Sequence, residues 1–95
     1  MAIIVLALAD LEIRTAQVWY DGRHLGLGDD LFREFLKAIA RIEESPEAWR
    51  PISGGFRRIN LNRFPYGIVY KLDGPDIVIT AFPHHRRRPE YWRSE

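Results

Sequence analysis

The sequence predicts an α+β domain in which a helical hairpin packs on a mainly antiparallel four-stranded sheet, in the order β-α-α-β-β-β. Three observations carry this. Leu27, Leu31, Phe35, Ile39 and Ile42 recur at steps of four, four, four and three, the spacing of one apolar helix face. Three strand-like runs, Arg57–Leu61, Tyr66–Leu72 and Ile77–Phe82, crowd the second half of the chain. Asp73-Gly74-Pro75-Asp76 joins the last two with the composition of a tight hairpin turn.

Taken in order, Ile3-Ile4-Val5-Leu6 is continuous and β-branched rather than alternating, which predicts a strand covered on both faces. Met1 to Ala9 is too short to span a bilayer and has no basic n-region, so it reads as this strand and not as a signal peptide. A first helix is expected from Asp10, the one good N-cap residue, with Glu12 well placed in the first turn. Ile13, Ala16, Gln17 and Tyr20 supply its stripe, Trp19 flanks it, and Asp21-Gly22 ends it. The second helix carries Asp29, Asp30 and Glu34 toward its start and Lys37 and Arg41 toward its end, as its dipole favours. Ser45-Pro46 stops it. Along the middle strand Tyr66, Ile68, Tyr70 and Leu72 are expected on one face, with Gly67, Val69 and Lys71 on the other. Pro65 suits a strand start. Trp19 and Trp49 are expected in the core or at its rim.

With 95 residues, the chain makes one domain, residues 1–95. The 46% hydrophobic and 28% charged content is that of an ordinary globular domain. There is no cysteine, which removes disulfides and thiolate metal sites and suits a reducing cytoplasm. The net charge of +1 hides an asymmetry. Residues 1–55 hold six basic against nine acidic residues, a balance of −3, and residues 56–95 hold eight against four, a balance of +4. The excess of positive charge peaks in His84-His85-Arg86-Arg87-Arg88-Pro89-Glu90-Tyr91-Trp92-Arg93, directly after the last strand. Such a cluster can hold phosphates, stack on bases or grip an acidic partner.

Several short motifs, in order, resemble the RelE/ParE superfamily of toxins from type II toxin–antitoxin (plasmid stabilisation) modules. They are Trp19-Tyr20-Asp21, Gly26-Leu27-Gly28-Asp29, Pro46, Gly55-Phe56-Arg57-Arg58, Arg63-Phe64-Pro65-Tyr66 with Tyr70, and His84-His85-Arg86-Arg87-Arg88-Pro89 with Tyr91-Trp92. The resemblance spans almost the whole chain and implies a bacterial, cytoplasmic toxin neutralised by a cognate antitoxin protein. RelE-like members cleave mRNA on the ribosome with basic residues and a tyrosine on the sheet face; ParE-like members lack that set and inhibit DNA gyrase. Nuclease members commonly carry an arginine just after the tyrosine that starts the strand, where this chain has Gly67 after Tyr66. Their lysines before that strand are replaced here by Arg57, Arg58 and Arg63, permanently protonated and poor at exchanging protons. The resemblance therefore favours a ParE-like gyrase inhibitor. The alternatives are a ribosome-dependent, metal-independent endoribonuclease and a non-toxic degenerate member.

If the chain is a nuclease, His84, Arg86 and Tyr91 are its expected catalytic residues: His84 as base or acid, Arg86 as phosphate clamp, Tyr91 as proton donor. For binding a target or nucleic acid the expected residues are Arg57, Arg63, Tyr66, Arg86, Arg87 and Trp92, forming one surface. Against these stand blander readings: His84 finishes a strand with one ring nitrogen bonded to backbone, and Trp92 anchors the tail by packing. Arg57 and Arg58 point to opposite faces, so at most one of them joins a patch with Arg86. His84 and His85 also diverge and make a poor metal pair. No metal, no cofactor and no membrane partner is expected. Homo-oligomers and hetero-oligomers with the antitoxin both remain open.

Overall fold

In the computed structural model, which describes residues 1–94, the chain runs β1 (Ile3–Val5), α1 (Ala7–Arg23), α2 (Leu27–Glu44), β2 (Arg50–Pro51), β3 (Arg57–Asn60), β4 (Gly67–Asp73) and β5 (Asp76–Ala81). The strands form one sheet ordered β1-β5-β4-β3-β2. β1 lies parallel to β5 and all other neighbours are antiparallel. The sheet thus has five strands where the sequence predicts four. The extra one, Arg50–Pro51, is two residues long and lies in the loop after Pro46, too short to leave a periodicity.

Helix α2 is as its spacing predicts: Leu31, Phe35, Ala38, Ile39 and Ile42 are buried, with Asp29 and Asp30 in the first turn and Arg41 in the last. These side chains join Ile13, Ala16, Ile59, Ile68, Tyr70, Ile77 and Ile79 in one core between the hairpin and the sheet. Each large aliphatic or aromatic side chain so buried stabilises the fold by about 1.5–3 kcal/mol before chain entropy is counted. Tyr70 is fully buried, and its hydroxyl donates to the Pro46 carbonyl at 2.6 Å, fixing the loop after α2 to the sheet. The Gly74-Pro75 turn closes the β4–β5 hairpin with Gly74 at φ 58°, a left-handed conformation suited to glycine.

Three expectations need correction. β1 is not covered on both faces. It is an edge strand, and Ile4 and Val5 are each 41% exposed. Helix α1 starts at Ala7 rather than Asp10 and ends at Arg23 rather than at Asp21-Gly22. Leu6 precedes it with no side-chain cap, and the Leu6 carbonyl accepts the Asp10 N–H at 3.0 Å, so Asp10 lies in the first turn instead of before it. Finally, Trp19 is 52% exposed, while Trp49 is half-buried with its indole N–H donating to the Arg41 carbonyl at 3.2 Å.

The hairpin between the helices closes on Gly28. Its N–H donates to Asp21 Oδ1 at 2.8 Å, and a Cβ at this position would lie 2.5 Å from the Gln17 carbonyl oxygen. Gly28→Ala therefore forces the two helices apart. We expect it to lower stability by roughly 1–3 kcal/mol, the range for overpacking, as read from the urea midpoint by circular dichroism.

Candidate functional site

The site is set by a register shift between β4 and β5. Val69 faces Ala81, but Tyr70 faces Ile79, so Thr80 is an extra residue on β5. Ile77 and Ile79 point to the helices, and beyond the bulge Ala81 points away from them while Phe82 joins the helix-side core. The sequence parity that groups Val78, Thr80, Phe82 and His84 on one face is broken here. Tyr66 follows Phe82: the two rings stack at 4.9 Å with planes 9° apart. His84 pairs with Tyr66 through an isolated bridge, and its ring meets Tyr66 edge-on at 5.1 Å. Tyr20 of α1 completes the column, 6.3 Å from Tyr66 and 5.0 Å from Phe64.

Between this column and α1 lies a cavity of about 530 Å³, whose walls include Leu8, Leu11, Trp19, Tyr66 and Phe82, with Glu12, His84 and Arg87 supplying polar groups. Glu12 joins its parts. Oε1 accepts the Phe82 backbone N–H at 2.8 Å, and Oε2 accepts the Tyr91 hydroxyl. Arg87 stands over the Tyr91 ring at 4.1 Å. Burial, then the hydrogen bond and negative charge of Glu12, push the Tyr91 phenol well above its ordinary value, so it holds its proton. His84 accepts the Arg86 backbone N–H on Nδ1 at 3.0 Å, as a strand-ending histidine with one nitrogen on the backbone would. In neutral His84 this places the ring proton on Nε2.

Of the residues expected from sequence, Tyr66, His84, Arg87 and Tyr91 come together around Glu12. Arg86 is exposed beside them, without a side-chain hydrogen bond or ion pair among the described residues. The others do not join them. Arg57 lies across from Tyr70 and donates from Nη1 to the Glu47 and Trp49 carbonyls at 3.0 and 2.9 Å, so it braces the loop after α2. Arg63 pairs with Asp30 of α2 at 3.4 Å. A hydrogen bond from Arg33 and the charge of Arg63 hold the Asp30 carboxyl below its usual range. Trp92 is only 7% exposed and packs with Val69 and Ala81 on the sheet face opposite the helices, so it anchors the tail rather than presenting a ring to a ligand. The single surface expected from Arg57, Arg63, Tyr66 and the tail is therefore divided, because Arg57 and Arg63 spend their guanidinium groups within the fold.

Two participants escape a reading by sequence. Glu12 is legible only as a first-turn acid, since its partners lie 70 and 79 residues away. Arg58 is the other. It lies on the face opposite Arg57, and its guanidinium covers Gly67: a Cβ there would fall 2.7 Å from Arg58 Nε and 2.7 Å from Asn60 Oδ1. The cation whose absence at Gly67 the resemblance to nuclease members brings out is thus delivered to the same place from the neighbouring strand.

A family model described as the ParE toxin of the type II toxin–antitoxin system parDE matches residues 5–89. The chain belongs to the ParE toxin family. It is the toxin component of a type II toxin–antitoxin module. Among solved structures, a chain described as "Chromosomal ParDE TA system from P. aeruginosa" is similar with a TM-score of 0.79 at 16% identity, over 88% of this chain and 95% of that one. At that identity the likeness speaks for the fold. No curated protein gives a significant match. The family match in this ParE-type toxin stops before Tyr91 and Trp92, the two residues that fasten its tail.

The raised phenol has a consequence at high pH. A tyrosine that titrates at its ordinary value of about 10 when unfolded and higher when folded stabilises the fold fully below pH ~10. That contribution fades as pH climbs toward the folded value. Tyr20, Tyr66 and Tyr70 are raised by burial too and act in the same direction. We expect the urea midpoint to fall above pH ~10, and Tyr91→Phe, though less stable at neutral pH, to fall less steeply. Parallel curves for the two proteins would show that Tyr91 is not held by Glu12.

Proposed function

We propose that the toxin works as a binding module that inhibits DNA gyrase in the cytoplasm and is held inactive by a cognate antitoxin. The observation that carries this reading is the state of the two proton-transfer candidates. Cleavage of RNA through its 2′-hydroxyl needs a base with an open lone pair and an acid that can release its proton. His84 has its Nδ1 lone pair directed to the Arg86 N–H, and Tyr91 gives its proton to Glu12. In this arrangement neither is poised for transfer, and among the described residues no carboxylate bonds the His84 ring. What remains is a concave, aromatic-walled cavity with a histidine and an arginine on its wall, which suits an anchoring side chain of a protein partner.

Membership of the ParE family supports an antitoxin partner, and the solved relative comes from a ParDE toxin–antitoxin system. The exposed apolar residues give such a partner somewhere to sit. Ile4, Val5 and Leu6 line the unpaired edge of the sheet, and Phe32 and Leu36 of α2 are partly exposed. No helix among the described residues is long and apolar enough to cross a membrane.

The test sets two assays side by side for the parent chain, His84→Ala and Arg86→Ala: gyrase supercoiling, and mRNA cleavage on translating ribosomes. The parent is expected to inhibit supercoiling without cutting mRNA, and His84→Ala is expected to keep that inhibition. Ribosome-dependent cleavage that disappears with His84→Ala would replace the binding reading with the nuclease one. Normal growth of cells making the unpaired protein would instead identify a member that has lost its toxicity.

A further inference from the structure

Four aromatic rings and two unpaired donors meet at the cavity beside α1, and together they define the ligand it suits. Trp19, Tyr20, Tyr66 and Phe82 all line it. Trp19 meets Tyr20 edge-on at 4.9 Å, Tyr20 meets Tyr66 at 6.3 Å, and Tyr66 stacks on Phe82. The wall is thus a continuous aromatic surface made of ring faces and ring edges. At about 530 Å³ the space has the size of cavities that enclose small organic molecules.

The donors are placed by the backbone. The Arg87 N–H donates to the His84 carbonyl at 3.0 Å, closing a turn, and the His85 N–H donates to the Pro65 carbonyl at 2.9 Å, tying that turn to the segment before β4. The turn brings the His84 and Arg87 side chains to the cavity wall together. His84 uses Nδ1 for the Arg86 N–H, so in the neutral ring Nε2–H is the donor that remains. Arg87 lies over the Tyr91 ring and has no ion pair among the described residues. The carboxylate on the same wall does not balance these donors. Glu12 gives one oxygen to the Phe82 N–H and the other to the Tyr91 hydroxyl. It engages Tyr91 at the hydroxyl while Arg87 covers the ring face, so the two charged groups take different parts of one side chain.

We propose that this cavity binds a small aromatic carboxylate, its ring or fused rings laid against the aromatic wall and its carboxylate accepting from Arg87 and His84 Nε2. Each half of the ligand answers one half of the wall. The rings leave water for an apolar surface, where stacked or edge-on contacts add to the gain from burial. The carboxylate gives the guanidinium a charge-assisted partner that the protein itself does not supply. A cationic ligand suits the rings, but it meets Arg87, and both Glu12 oxygens are already engaged. A neutral aromatic leaves the two donors without an anionic acceptor. An occupant of this kind would compete with the anchoring side chain of a protein partner. That consequence rests on the binding reading given above; the ligand site itself does not.

The experiment is isothermal titration calorimetry of the isolated chain at neutral pH with three probes on one ring system: indoleacetate, indoleacetamide and tryptamine. The proteins are the parent, Arg87→Gln, His84→Phe, Trp19→Ala and, as control, Arg88→Gln. The parent is expected to bind indoleacetate more tightly than either analogue, with shifts of the His84 and Tyr66 ring resonances in nuclear magnetic resonance spectra. Arg87→Gln is expected to weaken indoleacetate on the order of tenfold and indoleacetamide little. His84→Phe keeps an aromatic edge against Tyr66 without the donor, and should show the same preference in its loss. Trp19→Ala, at a half-exposed position, should weaken both probes alike. Arg88→Gln removes the same charge from an exposed neighbour outside the cavity and should change neither. Urea unfolding separates lost binding from lost fold, and since the Arg87 side chain is exposed, Arg87→Gln decides where another variant fails to fold. Three results would each overturn the site: no heat and no resonance shifts with indoleacetate at millimolar concentration, an analogue bound as tightly as indoleacetate, or equal losses in Arg87→Gln and Arg88→Gln. With neither gyrase nor antitoxin present, failure here leaves the binding reading standing, and failure of that reading leaves this site standing.

Discussion

Without the extra residue at Thr80, the alternation that turns Ile77 and Ile79 toward the helices would put Ala81 on that side as well, and Phe82 and His84 on the other. The bulge reverses this. It stacks Phe82 under Tyr66 and brings His84 to the same column. Phe82 lies just beyond the end of β5, where its N–H would face a partly buried setting without a strand partner, and such a group must find an acceptor. Glu12 provides it from α1. A carboxylate has a second oxygen, and here that oxygen takes the Tyr91 hydroxyl and fastens the tail. One irregular residue in the sheet thus determines, through one hydrogen-bond requirement and one bidentate acceptor, where the C-terminal cluster lies.

The tail's fastening explains why the outer face of the sheet leaves little apolar surface uncovered. Trp92 fills the outer face of the sheet, so the chain covers with its own aromatic residues an area that would otherwise attract a protein partner. The uncovered apolar residues are those of β1, α1 and α2. Helix α1 shows the difference from α2. Its buried side holds Ala9, Ile13 and Ala16, yet Leu11, Val18 and Trp19 are exposed on the rest of its surface. A helix apolar around most of its circumference is stable in water only at some cost, and a partner that covers it removes that cost.

How much of this was readable from the residues differs by scale. Helix α2 and the β4–β5 hairpin were legible because their signals are local: a strict helical period in one, a Gly-Pro turn between apolar runs in the other. The cap of helix α1, Leu6, lies four residues before the one read from the sequence, because Asp10 looks like a cap while the true start uses no side chain at all. Strand β1 looked doubly buried since composition does not say whether a strand is central or at an edge. At the site, Tyr66, His84, Arg87 and Tyr91 were legible as residue types with suitable chemistry. Their grouping was not, since it depends on the bulge at Thr80. Nothing in the sequence distinguishes an arginine bonded to backbone carbonyls, such as Arg57, from one laid on an open face, such as Arg58.

That last pair bears on how the toxin is assigned a mode of action. Read along the chain, Gly67 marks a lost cation and so separates this protein from nucleases. In space the position is filled, because a glycine is what allows the Arg58 guanidinium of the next strand to lie there. Positive charge at this point therefore does not discriminate binding from cleavage. Proton transfer does, since it needs groups free to gain and release a proton where the substrate sits. Tyr91 is half-buried with its proton directed at Glu12, and His84 points its Nδ1 lone pair to the main chain. The proposed binding mode therefore rests on how Tyr91 and His84 are hydrogen-bonded rather than on the arginine missing at Gly67, because charge at that point is supplied from the neighbouring strand.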